Sequence, residues 1–266
     1  MPRFAANLTM MFTELPFIDR FAAARAAGFD AVEFLFPYDH DAAAIADQLR
    51  AHGLTQALFN LPPGDWAAGE RGLAALPGRQ DEFRASVAVA LRYAAVIGVD
   101  ALHVMSGIAA RSDAAAVRTY RHNLTHLCDV AGKAGLTIVI EPINPRDMPG
   151  YFLNDFKFAA DLIGDLALPN LRLQFDIYHR QILHGDVLTG LRDLMPIIGH
   201  IQIAAVPARH EPGSGELDDA RILRAIDQTG YAGFVGCEYR PAGDTVAGLG
   251  WRASLLGGTT SERRRE

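Results

Sequence analysis

The feature that most constrains this chain is an alternation. Short apolar runs recur eight times along the 266 residues, and a segment of helical periodicity stands between one run and the next. The runs fall at 3–8, 30–37, 54–60, 99–107, 136–142, 171–176, 198–204 and 232–239. Some, such as LTIVIEP and AGFVGCEY, are apolar along most of their length. Parallel strands buried on both faces read in this way. The helical segments fall at 15–29, 41–53, 80–97, 112–135, 154–166, 179–195 and 218–230. Gly28, Gly53, Gly98 and Gly230 end four of them, as C-terminal glycines do. Asn154, and Ser112 or Asp113, stand where N-caps are expected.

No GxGxxG opens a helix after the first strand, which disfavours a dinucleotide-binding sheet. An α/β fold with its strands closed into a (β/α)8 TIM barrel is the economical solution, and such barrels need about 250 residues in one domain. The expected domain is 1–257, with a disordered tail at 258–266 (TTSERRRE at its end). The Gly- and Pro-rich stretch 61–79 carries Trp66, Glu70 and Arg71. A connection of that length inside a compact domain usually serves function.

Half the residues are hydrophobic, enough for a large core, and the net charge is −6. An acidic chain argues against a nucleic-acid partner and for a small-molecule enzyme. No apolar run reaches the roughly 18 residues of a membrane span, so no membrane partner is expected. The start MPRFAANL lacks a basic stretch followed by an apolar one, so no leader is expected. Cys128 and Cys237 have no metal-type spacing and read as buried free thiols, in keeping with a reducing cytoplasm. A homo-oligomer is compatible with the sequence.

Active sites of such barrels lie at the C-terminal ends of the strands. There the fifth strand delivers Glu141, the sixth Asp176, the seventh Gln202 and the eighth Glu238. Any one of these alone reads as a helix cap or the partner of a surface arginine. Four on consecutive strands read differently. Converging carboxylates repel one another and are costly to desolvate, and a divalent cation removes that cost. Oxygen-only ligands favour Mg²⁺ or Mn²⁺ over zinc. Glu33 on the second strand can hydrogen-bond inside the barrel mouth, and Asn7 and Asn60 end strands one and three. His103 is either a core histidine or a substrate contact. His179, three residues after Asp176, can reach the pocket from the start of the next loop. Arg209, just after strand seven, suits a substrate carboxylate by bidentate pairing.

The strings FAANLTMMF, VEFLFPYD, GDWAAGERGLAALPGR, EPINPRDMPGYFL, QFDIYH, HIQIAAVPARHEPGSGE and GCEYRPAG span nearly the whole chain. With them the chain resembles the hydroxypyruvate isomerase family of xylose-isomerase-like barrels. The resemblance implies metal ligands at Glu141, Asp176, Gln202 and Glu238, and proton donor/acceptor roles for Glu141 and Glu238. It implies a substrate-binding role for His179 and, approximately placed, for Arg209. It implies an intramolecular oxidoreductase acting on a small 2-oxo hydroxy acid through an enediolate, with one divalent ion and no redox cofactor. ANLTMMF, HVMSG and VPARHEP lean towards the 2-oxo-tetronate isomerase subgroup, which handles four carbons, over hydroxypyruvate isomerases, which handle three. A sugar 3-epimerase has a similar constellation but usually a histidine where Gln202 stands. An abasic-site endonuclease needs several zinc-binding histidines and a basic face. A non-catalytic sugar-acid-binding barrel is the remaining alternative.

Overall fold

The computed structural model describes residues 1–257; the tail expected at 258–266 lies outside them. Eight parallel strands close into a barrel in chain order: β1 Arg3–Asn7, β2 Ala31–Phe34, β3 Thr55–Asn60, β4 Ala101–His103, β5 Thr137–Ile140, β6 Leu171–Asp176, β7 Ile198–Ile203 and β8 Phe234–Cys237. The barrel is sealed where Arg3–Ala6 of β1 pair with Phe234–Cys237 of β8. Strand and helix faces that sequence periodicity marks as apolar meet between the barrel wall and the outer helices, where Phe21, Phe34, Phe59, Phe83, Phe156 and Phe175 are fully buried.

The helices form for local reasons. Asp41, Asp113, Asp155, Asp218 and Asp244 each accept a backbone N–H at the start of the helix they precede. Gly53 and Gly98 end two helices in the left-handed conformation. Asp155, not Asn154, caps the helix Phe156–Leu166. The stretch 179–195 is two helices, Ile177–His184 and Val187–Leu194, because Gly185 and Asp186 both take positive φ and break the ladder. The fourth strand is shorter than its apolar run. After His103 the chain leaves the sheet, and Ser106 bridges antiparallel to Gly72.

That bridge fastens the long connection 61–79 across the barrel mouth. Gly72 has φ +108, and a Cβ there would lie 2.3 Å from the Met105 carbonyl oxygen. Only glycine lets the two backbones approach so closely. Ala75 N donates to Ser106 O, and the buried Asn123 amide donates to Ala74 O. Cys128 and Cys237 are buried and free, as expected. No helix of the described residues is long and apolar enough to cross a membrane.

Candidate active site

Residues i and i+2 of a strand point the same way. Gln174 and Asp176 on β6 are therefore level with His200 and Gln202 on β7, in register 174↔200 and 176↔202. Their side chains turn into the barrel with Glu33 of β2, and β8 makes room for them: a Cβ at Gly236 would lie 2.2 Å from Glu33 Oε2. Glu141 follows β5 and Glu238 follows β8 directly.

At the top of this stack Glu141, Asp176, His179 and Glu238 converge, each offering a ligand atom within 4.8 Å of the others. All are buried, from 0 % exposure at Asp176 to 8 % at Glu238. Asp176 is both a helix cap and a site residue. Its Oδ1 accepts from Tyr178 N at 2.7 Å, while its Oδ2 has no hydrogen-bond partner among the described residues. Glu141 Oε1 is likewise unpartnered among the described residues. Burial, reinforced by Glu238 and Asp176, pushes the Glu141 carboxyl well above its ordinary range. Burial raises Asp176 to about 6 and Glu238 to about 8, with Arg209 opposing both shifts. Orphaned oxygens on crowded, dry carboxyls are the arrangement a divalent cation relieves, so the residues fit such an ion.

His179 differs from the three acids. Its Nδ1 accepts from Asn144, from the backbone N at 3.3 Å and from the side-chain amide at 2.6 Å. Burial, then Arg209, lowers its pKa well below the ordinary value, so the ring is neutral. The network therefore assigns its proton to Nε2, which lies 3.6 Å from Asp176 Oδ2 and 3.8 Å from Glu141 Oε1. His179 presents a donor to the pocket rather than a lone pair.

Arg209 is the counter-charge within the group. Its guanidinium donates to Glu238 Oε2 and to Asp147 Oδ2, lies 3.6 Å from Asp176 Oδ2, and covers the Tyr178 ring. Burial works against its charge, but Glu238, Asp176, Asp147 and Glu141 outweigh it and raise its pKa. Its backbone is held at φ +56, an unusual state for a residue with a side chain.

A cavity of about 830 Å³ opens above the group, and Glu141, Glu238, His103, His179 and Arg209 line it. Asn60 lines it as well; Asn7, Glu33 and Gln202 lie beneath. Glu33 accepts from Asn7 Nδ2 at 3.0 Å, from Gln202 Nε2 at 2.8 Å and pairs with His200 Nε2 at 2.7 Å. Asn7 Nδ2 also reaches Glu238 Oε1 at 3.4 Å. The Gln202 oxygen accepts from Gln174 Nε2 at 2.6 Å. His103 Nε2 lies 3.7 Å from Glu141 Oε2, and burial, then His200, lowers its pKa to about 3.

Sequence reasoning missed His200, Gln174, Asn144 and Asp147. The first two carried a signal, since each stands two residues before a chosen site residue in the same strand. Asn144 and Asp147 lie in the loop after β5 and carried none beyond their polarity.

Comparison with known proteins agrees with the geometry. Residues 21–255 match the family model of xylose isomerase-like TIM barrels. The chain is 56 % identical over 259 residues to the 2-oxo-tetronate isomerase of Cupriavidus necator, covering 97 % of this chain and 100 % of that one. It is 43 % identical over 253 residues to the hydroxypyruvate isomerase of Escherichia coli, covering 94 % and 98 %. Among solved structures it superimposes on AP endonuclease, family 2, from Brucella melitensis with TM-score 0.93 and 48 % identity, covering 96 % and 99 %. A matched barrel model and full-length relatives that are named isomerases lead to one conclusion: the chain belongs to the hydroxypyruvate isomerase family of xylose isomerase-like TIM barrels and is an enzyme of the isomerase class.

Proposed function

We propose that the protein is a 2-oxo-tetronate isomerase, interconverting 2-dehydrotetronate and 3-dehydrotetronate, with one Mg²⁺ or Mn²⁺ ion held by Glu141, Asp176, Gln202 and Glu238. The observation that carries this is the buried convergence of carboxylates whose Glu141 Oε1 and Asp176 Oδ2 have no hydrogen-bond partner among the described residues. Gln202 keeps a second oxygen lone pair beside the one that Gln174 uses. The Cupriavidus relative supports the four-carbon substrate. The Escherichia coli relative makes the three-carbon hydroxypyruvate the alternative. We read residues 1–257 as one domain, and the two buried thiols suit a reducing cytoplasm.

When bound, a divalent ion would supply positive charge that offsets the crowding of the acids and the negative charge that develops on the substrate oxygens. The chain's own groups do the rest. Glu141 and Glu238 stand after β5 and β8 as the proton donor/acceptor pair: one removes the proton from C3, and the other delivers one to C2. The hydroxyl proton leaves O3 as O2 gains one, so the reaction balances without a redox partner. His179 Nε2–H is a neutral donor for a substrate oxygen. Arg209 holds Glu238 in place and offsets the acidic charge near the reacting carbons. His103, neutral beside Glu141, offers a further polar contact at the cavity floor. Asn7 and Glu33 act from below, through Glu238 and Gln202.

The name of the Brucella structure raises a nuclease reading. Phosphodiester binding calls for a basic face, whereas this chain has net charge −6 and a single histidine in its acidic group. The test is proton NMR of the purified enzyme with three- and four-carbon 2-oxo acids side by side, with free ketoses and an abasic-site duplex as controls. Faster conversion of the four-carbon acid is expected. Turnover of ketoses alone, or nicking of the duplex, overturns the proposal.

A further inference from the structure

A 2-oxo acid brings a permanent negative charge to the cavity, and something must receive it. Arg209 is the obvious cation, but its guanidinium is already divided among Glu238, Asp147 and Asp176. Among the described residues two other arginines line the cavity, Arg71 and Arg240. Arg240 is exposed at the rim, whereas Arg71 is half-buried.

From this contrast we infer that Arg71 is the carboxylate-binding residue of the site. The inference rests on the 2-oxo acid reading above. Among the described residues Arg71 pairs with no acid. Its Nη1 donates to the backbone carbonyls of Trp66 at 3.0 Å and Glu70 at 2.7 Å, and its guanidinium lies 3.8 Å from the centre of the Trp66 ring. Those contacts hold the plane in place while Nε and Nη2 stay available for two parallel bonds to a carboxylate. The neighbouring Glu70 cannot neutralise it, because its carboxylate is taken by Arg79 and by Asp65 N.

The position is built, not accidental. Arg71 immediately precedes Gly72, whose close approach to the Met105 carbonyl pins the segment to the end of β4. Met105 lines the same cavity, and His103, two residues earlier, faces Glu141. β4 is hydrogen-bonded to β5, the strand that delivers Glu141. The long connection over the mouth thus carries a fixed cation, unpaired among the described residues, to the wall of the cavity that Glu141 also lines. A neutral ketose has no use for such a cation, so Arg71 favours sugar acids over free sugars.

The test uses full-length, Mn²⁺-loaded protein and two non-reacting probes, the four-carbon acid erythronate and its neutral counterpart erythritol. Calorimetry should show erythronate binding more tightly to the wild type. In Arg71→Met that preference should shrink by about tenfold or more, with erythritol affinity unchanged. Arg71→Lys should restore part of it, and Arg240→Met should leave it intact. Trp66 is one of two tryptophans, and the other, Trp251, is buried elsewhere, so erythronate should also shift the emission of wild type but not of Arg71→Met. Retained preference in Arg71→Met, as a carboxylate held by the ion or by Arg209 would give, overturns the inference. So does equal weakening of both probes. Turnover of 2-oxo acids by the wild type is scored separately. If none is converted while the Arg71-dependent preference persists, the isomerase assignment fails and the carboxylate site stands.

Discussion

Gln202 donates its side-chain amide to Glu33 Oε1 at 2.8 Å, and this bond fixes which end of the amide faces Gln174. Glu33 Oε1 serves here as an acceptor, taking hydrogen bonds from Gln202 Nε2 and Asn7 Nδ2. Asn7 and His200 converge on the same group. Glutamine at this position has the same shape but puts a donor where donors already meet. Glu33→Gln should therefore fold, yet lose about 10–100-fold in Mn²⁺ affinity or turnover, as changes to the partners of metal ligands do. Titration calorimetry with Mn²⁺ and kinetics on the same preparation check it. Wild-type values for both exclude the role.

Glu141→Gln and Glu238→Gln remove the proton donor/acceptor groups. Each should lower kcat by about 10²–10⁴-fold or more. The metal-free Glu141→Gln protein should be more resistant to heat than metal-free wild type, since the lost carboxyl is buried and crowded by acids. Turnover by NMR and thermal unfolding test the two halves. Near wild-type kcat in either variant, with metal present, removes that residue from the chemistry.

The same crowding gives the metal-free protein an unusual pH dependence. Glu238 rises from 4.5 to about 8 and Asp176 from 3.8 to about 6 on folding, so the folded state binds more protons across those ranges. Stability then falls as pH rises. The favourable contribution is complete below the unfolded values and lost as pH passes the folded ones. Thermal unfolding between about pH 5 and pH 8 should show declining Tm without metal and a flatter profile with Mn²⁺. A rising metal-free profile would contradict the crowded-carboxylate picture.

Gly236→Ala tests the packing beneath the site. Its Cβ would fall 2.2 Å from Glu33 Oε2 in a closed barrel interior. Overpacking there should cost about 1–3 kcal/mol in denaturant unfolding and displace Glu33, with reduced Mn²⁺ affinity. Unchanged stability would mean that Glu33 has room to move.

Removal of metal by a chelator should abolish turnover, and Mg²⁺ or Mn²⁺ should restore it. Full activity after exhaustive chelation, with metal content verified by elemental analysis, would end the metal-dependent reading.

The sequence by itself determined the barrel and its acidic residues. Apolar runs at strand length, separated by helical periodicity, leave parallel closure as the economical way to bury both strand faces, and the eight strands occur in the order in which the runs occur. Strand-end position was also enough to single out Glu141, Asp176 and Glu238, because a parallel strand carries its polar end to one rim of the barrel. Tertiary structure alone decided the rest. The choice between Arg209 and Arg71 depends on which carboxylates lie within reach, and those come from loops distant in sequence. The layer of Glu33, His200 and Gln174 depends on the register between strands and on the missing side chain at Gly236. The proton on His179 is assigned by Asn144, a partner brought near by folding. Periodicity reports which way a side chain points, but only closure of the barrel determines what it meets there.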